Sequence, residues 1–352
     1  MKKIILVVFM LVSVLGFSKD NSLNNEEMTV GSRKIPLSED VSDEFRAYLA
    51  AKPIVDIDLI KNMNFETDEE WNQWIQQRDN ATIAAVRELA EKLSVNYISD
   101  TINGVKVFRV FPSKISREHK SHLFVHNHGG AYILNGGEAA LFEAILIADR
   151  LKMPVISIDY RMPPSHPAPA GVEDITAVWK ELLKDRDPME MAMGGTSAGG
   201  AITAGAIHKL NDLSLPLPGA LFIGTPGINM ENTGDSRFIN EGIDTNLWTW
   251  EGIVENALNM YTQNIDSRHP YVSPIEGELN NFPPTYLISG TRDLLLSDTV
   301  RMHRKLRRAG VKADLHIYEG QAHADYIAAT FSPESYEHFR ELDSFLIEHL
   351  KK

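Results

Sequence analysis

Three residues whose types can carry out nucleophilic catalysis together stand in the chain order Ser197, Asp293, His323. A serine hydroxyl is a weak nucleophile at its own pKa, so it needs a base within hydrogen-bond reach and a third group to orient that base. Ser197 lies in Gly195-Thr196-Ser197-Ala198-Gly199, a G-x-S-x-G string. An apolar run at 189–193 precedes it, and a small-residue segment of helical composition at 201–207 follows. That arrangement is the pattern of a sharp strand-to-helix turn that lifts a serine hydroxyl out of a sheet. The turn strains the serine backbone and leaves no room for side chains at the flanking positions, hence the two glycines. A glycine-rich junction with an incidental serine has the same five-residue pattern, so the assignment depends on the partners.

The partners should each follow a later strand, acid before base. The β-rich run 285–289 ends in Gly290-Thr291-Arg292-Asp293, and the run ending in His316-Ile317-Tyr318 leads through Glu319-Gly320-Gln321-Ala322 to His323. Asp293 competes with Asp298 and Asp325 for the acid role. Asp293 is nearest the strand terminus, whereas Asp298 reads as the N-cap of the next helix. The string His128-Gly129-Gly130-Ala131-Tyr132 follows an apolar run at 123–125. A glycine turn there can aim the N–H groups of Gly129 and Gly130, with that of Ala198, at an oxyanion, and one such donor is worth about 10²- to 10³-fold in rate. His126 and His128, with His122 or His166, could be read as a metal site. No carboxylate stands at ligand spacing beside them, so no metal and no cofactor are expected.

These loops need a scaffold that puts them on one edge. Strand-like runs at 95–98, 105–111, 123–125, 154–159, 189–193, 220–224, 285–289 and 313–318 are interleaved with helical segments at 141–151, 171–183, 299–309 and 335–350. That alternation predicts an α/β fold with a mostly parallel central sheet and helices on both faces. Ligands on such sheets bind outside the carboxyl ends of the strands. Residues 37–93 carry helical patterns without strand signals, and 228–269 interrupts the alternation with turns and a helical piece at 248–261. The two are read together as a helical cap, leaving 94–227 and 270–352 as the core.

The N-terminus, Met1-Lys2-Lys3 followed by an apolar run at 4–17, has the basic and hydrophobic regions of a secretory signal peptide over 1–18. The run is shorter than the about 20 residues that span a bilayer, although an uncleaved anchor is the alternative. Residues 19–36 read as a polar lead-in. These features place the protein outside the cytoplasm, in the periplasm or secreted, without stable membrane insertion. The chain has no cysteine, which excludes a disulfide framework, a lipidated N-terminus and a thiol nucleophile. A formal net charge of −13, with the basic cluster Arg301 to Arg308 read as a solvated helix face, argues against nucleic acid as a partner. Homo-oligomerisation is left open.

Several motifs in order resemble one family. His128-Gly129-Gly130-Ala131-Tyr132, then Asp159-Tyr160-Arg161-Met162-Pro163-Pro164 through Pro169-Ala170, then Gly195-Thr196-Ser197-Ala198-Gly199-Gly200 are similar to the H-G-G-G, D-Y-R-L-A-P-E-x-x-x-P-A and G-D-S-A-G-G strings of hormone-sensitive-lipase-like esterases of the α/β-hydrolase fold. Tyr271-Val272-Ser273-Pro274 and Pro283-Pro284-Thr285-Tyr286-Leu287 extend the resemblance. It implies Ser197 as nucleophile, His323 as base, Asp293 as orienting acid, and Gly129, Gly130 and Ala198 as oxyanion hole. It also implies a helical cap, a small-molecule ester substrate and a preference for short acyl chains. Tyr132, Trp248 and Trp250 are candidates to line the pocket. Thr196 in place of Asp, Ala131 in place of the third Gly, and Ser165 in place of Glu depart from the pattern. The alternatives are a serine peptidase or amidase on the same fold, and a non-catalytic ligand-binding relative.

Overall fold

Alternating apolar residues along each central strand fix which side of the sheet they cover. In β3 (Leu123–Asn127), Leu123 and Val125 face one core and Phe124 the other; in β5 (Met191–Thr196), Met191 and Met193 oppose Ala192; in β6 (Ala220–Gly224), Leu221 and Ile223 oppose Phe222. Strands whose faces are both buried in this way require a helical layer on each side. The computed structural model, which describes residues 34–53 and 55–351, has those layers. The leader expected over 1–18, and the lead-in as far as residue 33, lie outside the described residues.

The remaining strands are β1 (Asn96–Ile102), β2 (Val105–Phe111), β4 (Val155–Ile158), β7 (Thr285–Gly290) and β8 (Ala313–Tyr318). Together the eight form one sheet in the order β1-β2-β4-β3-β5-β6-β7-β8. β1 and β2 are an antiparallel hairpin, closed by Asn103 and Gly104 with φ of 48° and 81°, the left-handed pair that a two-residue hairpin turn requires. β2 also pairs antiparallel with β4, and every later pairing is parallel. From β3 the chain passes to β4 on one side and then to β5 on the other, so the order reverses about β3. Such a reversal opens a crevice at the carboxyl ends of the two strands that diverge. Here those are β3 and β5, the strands that lead into the glycine turn and into Ser197.

The helices are α1 (Asp43–Ala50), α2 (Ile57–Lys61), α3 (Asp68–Leu93), α4 (Leu141–Leu151), α5 (Ala170–Leu182), α6 (Ala198–Asp212), α7 (Ser236–Ile239), α8 (Ile253–Thr262), α9 (Leu296–Arg308), α10 (Asp325–Ala328) and α11 (Pro333–His349). α5, α6 and α9 cover one face through residues such as Trp179, Ile202 and Met302. α4 and α11 cover the other through Ile145, Phe339 and Leu346. The block 37–93 divides between jobs. α1 packs Phe45 and Leu49 on Ala329. α3, opened by a reciprocal Thr67–Glu70 capping box, is one continuous helix. Its C-terminal part, with Val86, Leu89 and Ala90, joins the α4–α11 core, while Trp71 near its start packs with Ala257 of α8. Ile133 and Leu134, just past the glycine turn, belong to that same Trp71 cluster.

Two expectations about local structure are corrected. The helix expected over 248–261 begins only at Ile253, because Trp248 and Gly252 have φ of 64° and 83°, outside helical backbone. Asp298 is not an N-cap: it lies inside α9, whose preceding residue is Leu295, and its buried carboxylate pairs with Arg237 at 2.5 Å.

Candidate active site

The turn after β5 is built by crowding. A Cβ on Gly195 would sit 1.9 Å from the Asn127 carbonyl oxygen, and one on Gly199 2.0 Å from the same oxygen. Both obstacles are backbone and cannot swing aside, so only glycine lets α6 and β5 approach β3 this closely. Between them Ser197 is held at φ 61°, ψ −126°, a conformation that costs about 1–3 kcal/mol and persists only where the surroundings impose it. Its N–H is engaged by the Gly224 carbonyl at 2.7 Å. The side chain remains half-buried at the start of α6.

Ser197 Oγ lies 2.8 Å from His323 Nε2, and His323 Nδ1 lies 3.0 Å from Asp293 Oδ1. Residues separated by 126 and 30 positions thus meet in one line. Asp293 is fully buried, and its carboxylate also accepts from Ser289 Oγ at 2.5 Å and from the Leu295 N–H at 2.9 Å, which fixes its plane. Burial alone would push the His323 pKa down. The carboxylates of Asp293, Asp244 and Asp325 outweigh that and hold it above 6.5. Of the competing acids, Asp325 takes the Ala322 N–H and the Tyr48 hydroxyl, and Asp298 takes Arg237. Neither carboxylate bonds the imidazole.

The glycine turn lies against the elbow: a Cβ on Gly129 would be 2.6 Å from the Thr196 oxygen and 3.3 Å from Ser197 Cβ. Gly130 has φ 117°, and Ala131 and Tyr132 follow with φ of 49° and 66°, a run of left-handed residues. Among the described residues, no other protein group accepts from the N–H of Gly129, Gly130 or Ala198. His128 is buried in stacking contact with Tyr160, and burial pushes its pKa down to about 3, so it stays neutral.

The histidines considered as metal ligands disperse. His126 bonds Ser157 and Glu143, whereas His122 bonds His119 and the Lys351 carbonyl. Of the residues expected to line a pocket, Tyr132 is buried in a stack with Tyr261 at 3.8 Å, and Trp250 is buried over the Arg237 guanidinium at 3.8 Å. Trp248 is half-buried.

Two groups near the triad escaped the sequence reading. Glu143 of α4 is buried beneath the elbow, where it accepts from Thr196 Oγ1 at 2.5 Å, from the Thr196 N–H at 3.1 Å and bonds His126 Nε2 at 3.0 Å. Thr196 Oγ1 further meets the Tyr326 hydroxyl at 2.7 Å. The threonine that stands where the family writes aspartate therefore donates to a carboxylate supplied by a neighbouring helix. An acid among the apolar residues of the first turn of α4 was the available signal. Asp244, in the 228–269 interruption, has both oxygens engaged by backbone N–H groups of the acid and base loops and of its own turn. No local pattern marked it.

The family model for the alpha/beta hydrolase fold matches residues 124–327. A crystal structure of an esterase, E25, superposes with a TM-score of 0.90 at 46% identity, covering 92% of this chain and 99% of that one. The chain belongs to the α/β-hydrolase family, in its hormone-sensitive-lipase-like esterase branch. An esterase of the bacterial hormone-sensitive lipase family matches with a TM-score of 0.67 at 25% identity, over 78% of this chain and 99% of that one. An esterase of Acinetobacter venetianus is 27% identical over 63% of this chain and 74% of its own. An acetyl-hydrolase of Streptomyces hygroscopicus is 30% identical over 53% and 60% respectively. This α/β-hydrolase is accordingly a hydrolytic enzyme of esterase type, and Thr196 and Ala131 are its variations on the family strings.

Proposed function

We propose that the protein is a serine carboxylic ester hydrolase that works through an acyl-enzyme. The observation that carries this reading is the unbroken line from Ser197 Oγ through His323 to Asp293 at 2.8 and 3.0 Å, with Ser197 presented on a strained turn. Ser197 Oγ attacks the ester carbonyl carbon while His323 Nε2 takes its proton. Asp293 stabilises the imidazolium and keeps Nδ1 protonated and in place. The negative charge that moves to the carbonyl oxygen is met by the N–H groups of Gly129, Gly130 and Ala198. Collapse returns the proton from His323 to the departing alcohol. Water, deprotonated by the same imidazole, then attacks the acyl carbon and frees Ser197.

Short acyl groups are the proposed substrates. The residues after the glycine turn, Ile133 and Leu134, pack with Trp71 and α8, so side chains of the cap fill the space beside the oxyanion-binding turn. The name of the Streptomyces relative, an acetyl-hydrolase, agrees with a small acyl group. The test is hydrolysis of p-nitrophenyl acetate, butyrate and a long-chain ester by wild type and Ser197→Ala. The wild type should prefer the short esters, and the substitution should lower kcat by about 10⁶-fold. A fully active Ser197→Ala would refute the nucleophile, and a preference for the long ester would refute the acyl-length reading.

A further inference from the structure

The turn-rich segment between β6 and β7 reaches the triad through its backbone groups. Asp244, fully buried, places Oδ2 2.8 Å from the Leu294 N–H and 3.3 Å from the His323 N–H. One oxygen thereby ties the residue after the acid to the base. Its other oxygen accepts from the N–H groups of Asn246 and Leu247 at 2.9 and 3.0 Å, which locks its own turn. Asn240 donates through Nδ2 to the carbonyl of Asp293 at 2.8 Å. Asn246 donates through Nδ2 to the carbonyl of His323 at 2.5 Å and to Asp325 Oδ1 at 2.9 Å. From the N-terminal block, Lys52 Nζ holds Asn246 Oδ1 at 2.6 Å and the Tyr48 hydroxyl holds Asp325 Oδ1 at 2.7 Å.

Two loops that follow adjacent strands could move independently by small amounts. The loops after β7 and β8 touch through the Arg292 N–H on the Gln321 carbonyl at 2.9 Å and the Gly320 N–H on Thr291 Oγ1 at 2.8 Å. Neither contact is made by Asp293 or His323. We propose that Asp244, with Asn240 and Asn246, is a positioning group of the reaction, setting the distance between the acid and the base from the cap side. The inference rests on the triad reading above. Asp244 has a second effect through its charge, because it lies against the imidazole. The ionisable groups facing it are His323 and Asp293, with Asp325, Lys52 and Tyr48 beyond them. Burial raises the Asp244 carboxyl above its ordinary value while the facing His323 opposes that shift, and as a carboxylate Asp244 in turn favours the imidazolium.

The test compares kcat and KM for p-nitrophenyl butyrate across pH in wild type, Asp244→Asn, Asn246→Ala and Ser197→Ala. An asparagine at 244 has one carbonyl oxygen for four N–H groups, so the clamp opens without a change of volume. A misplaced base should lower kcat by about 10- to 100-fold at unchanged KM. The acid limb of kcat/KM should also move to lower pH, because a negative charge beside the imidazole is gone. Asn246→Ala should lower kcat while leaving that limb in place, since the Asp244 charge remains. Wild-type kcat with an unmoved acid limb in Asp244→Asn, beside an inert Ser197→Ala, would overturn this inference and leave the triad standing. An active Ser197→Ala would instead remove the triad itself. Should Asp244→Asn not fold, Asn246→Ala decides: unchanged kcat there overturns the proposal.

Discussion

In the proposed mechanism His323 sets the pH range in which Ser197 can react. It must be neutral to accept the serine proton, and the surrounding carboxylates hold its pKa above 6.5 against the opposing effect of burial. A base whose pKa is raised loses activity as pH falls through that raised value, and is fully competent above it. The acid limb of kcat/KM should therefore lie above 6.5, where a solvent-exposed imidazole would titrate. The check is a pH profile with p-nitrophenyl acetate, and a curve still flat well below 6.5 would contradict it. His128, the other histidine of the active-site loops, does not share this role. Its pKa is pushed down to about 3, so it contributes no ionisation near neutrality.

At the scale of elements, the elbow is held from below by α4. Glu143 accepts two bonds from Thr196 and one contact from His126, all buried. Replacing it by leucine would leave the buried Thr196 N–H and His126 Nε2 without this partner, while Thr196 Oγ1 keeps the Tyr326 hydroxyl. Glu143→Leu should destabilise the protein by about 1–3 kcal/mol, measured as a shift in the midpoint of urea unfolding, and an unchanged midpoint would show that the network is dispensable. The same elements show what could be read in the chain. β2, β6, β8 and α4 fall where the apolar runs placed them, because each is a hydrophobic segment bounded by turn residues. β5 was expected over 189–193 but runs from Met191 to Thr196, through Gly194 and Gly195. Glycine has low strand propensity. The crowding that demands it here comes from Phe222 at Gly194 and from Asn127 at Gly195, which sequence spacing does not reveal. That Ser197, Asp293 and His323 come together could be read because each follows a strand in a fixed order. Glu143 and Asp244 were not, since their meaning lies in backbone N–H groups and side chains distant along the chain.

Considered whole, the molecule divides its labour along the chain. The sheet and its two helical layers occupy most of the sequence after residue 94, while Tyr48 of α1, Lys52 just beyond it and Trp71 of α3 reach Asp325, Asn246 and the Ile133 cluster respectively. The first of those helices begins at Asp43. The basic start and apolar run at 4–17 stand well before it. Among the described residues no helix is long and apolar enough to cross a membrane. A net charge of −13 suits a freely soluble enzyme, and the chain has no cysteine whose oxidation could matter outside the cytoplasm. We expect export with cleavage near Ser18, leaving α1 and every later element intact. Intact-mass measurement on protein recovered from the periplasm or medium should give a chain shortened by the leader. A chain beginning at residue 19 should retain the melting temperature and the p-nitrophenyl butyrate activity of the exported form. Full-length protein found only in the cytoplasmic or membrane fraction would refute the leader. Loss of activity on its removal would mean that the segment contributes to the folded enzyme.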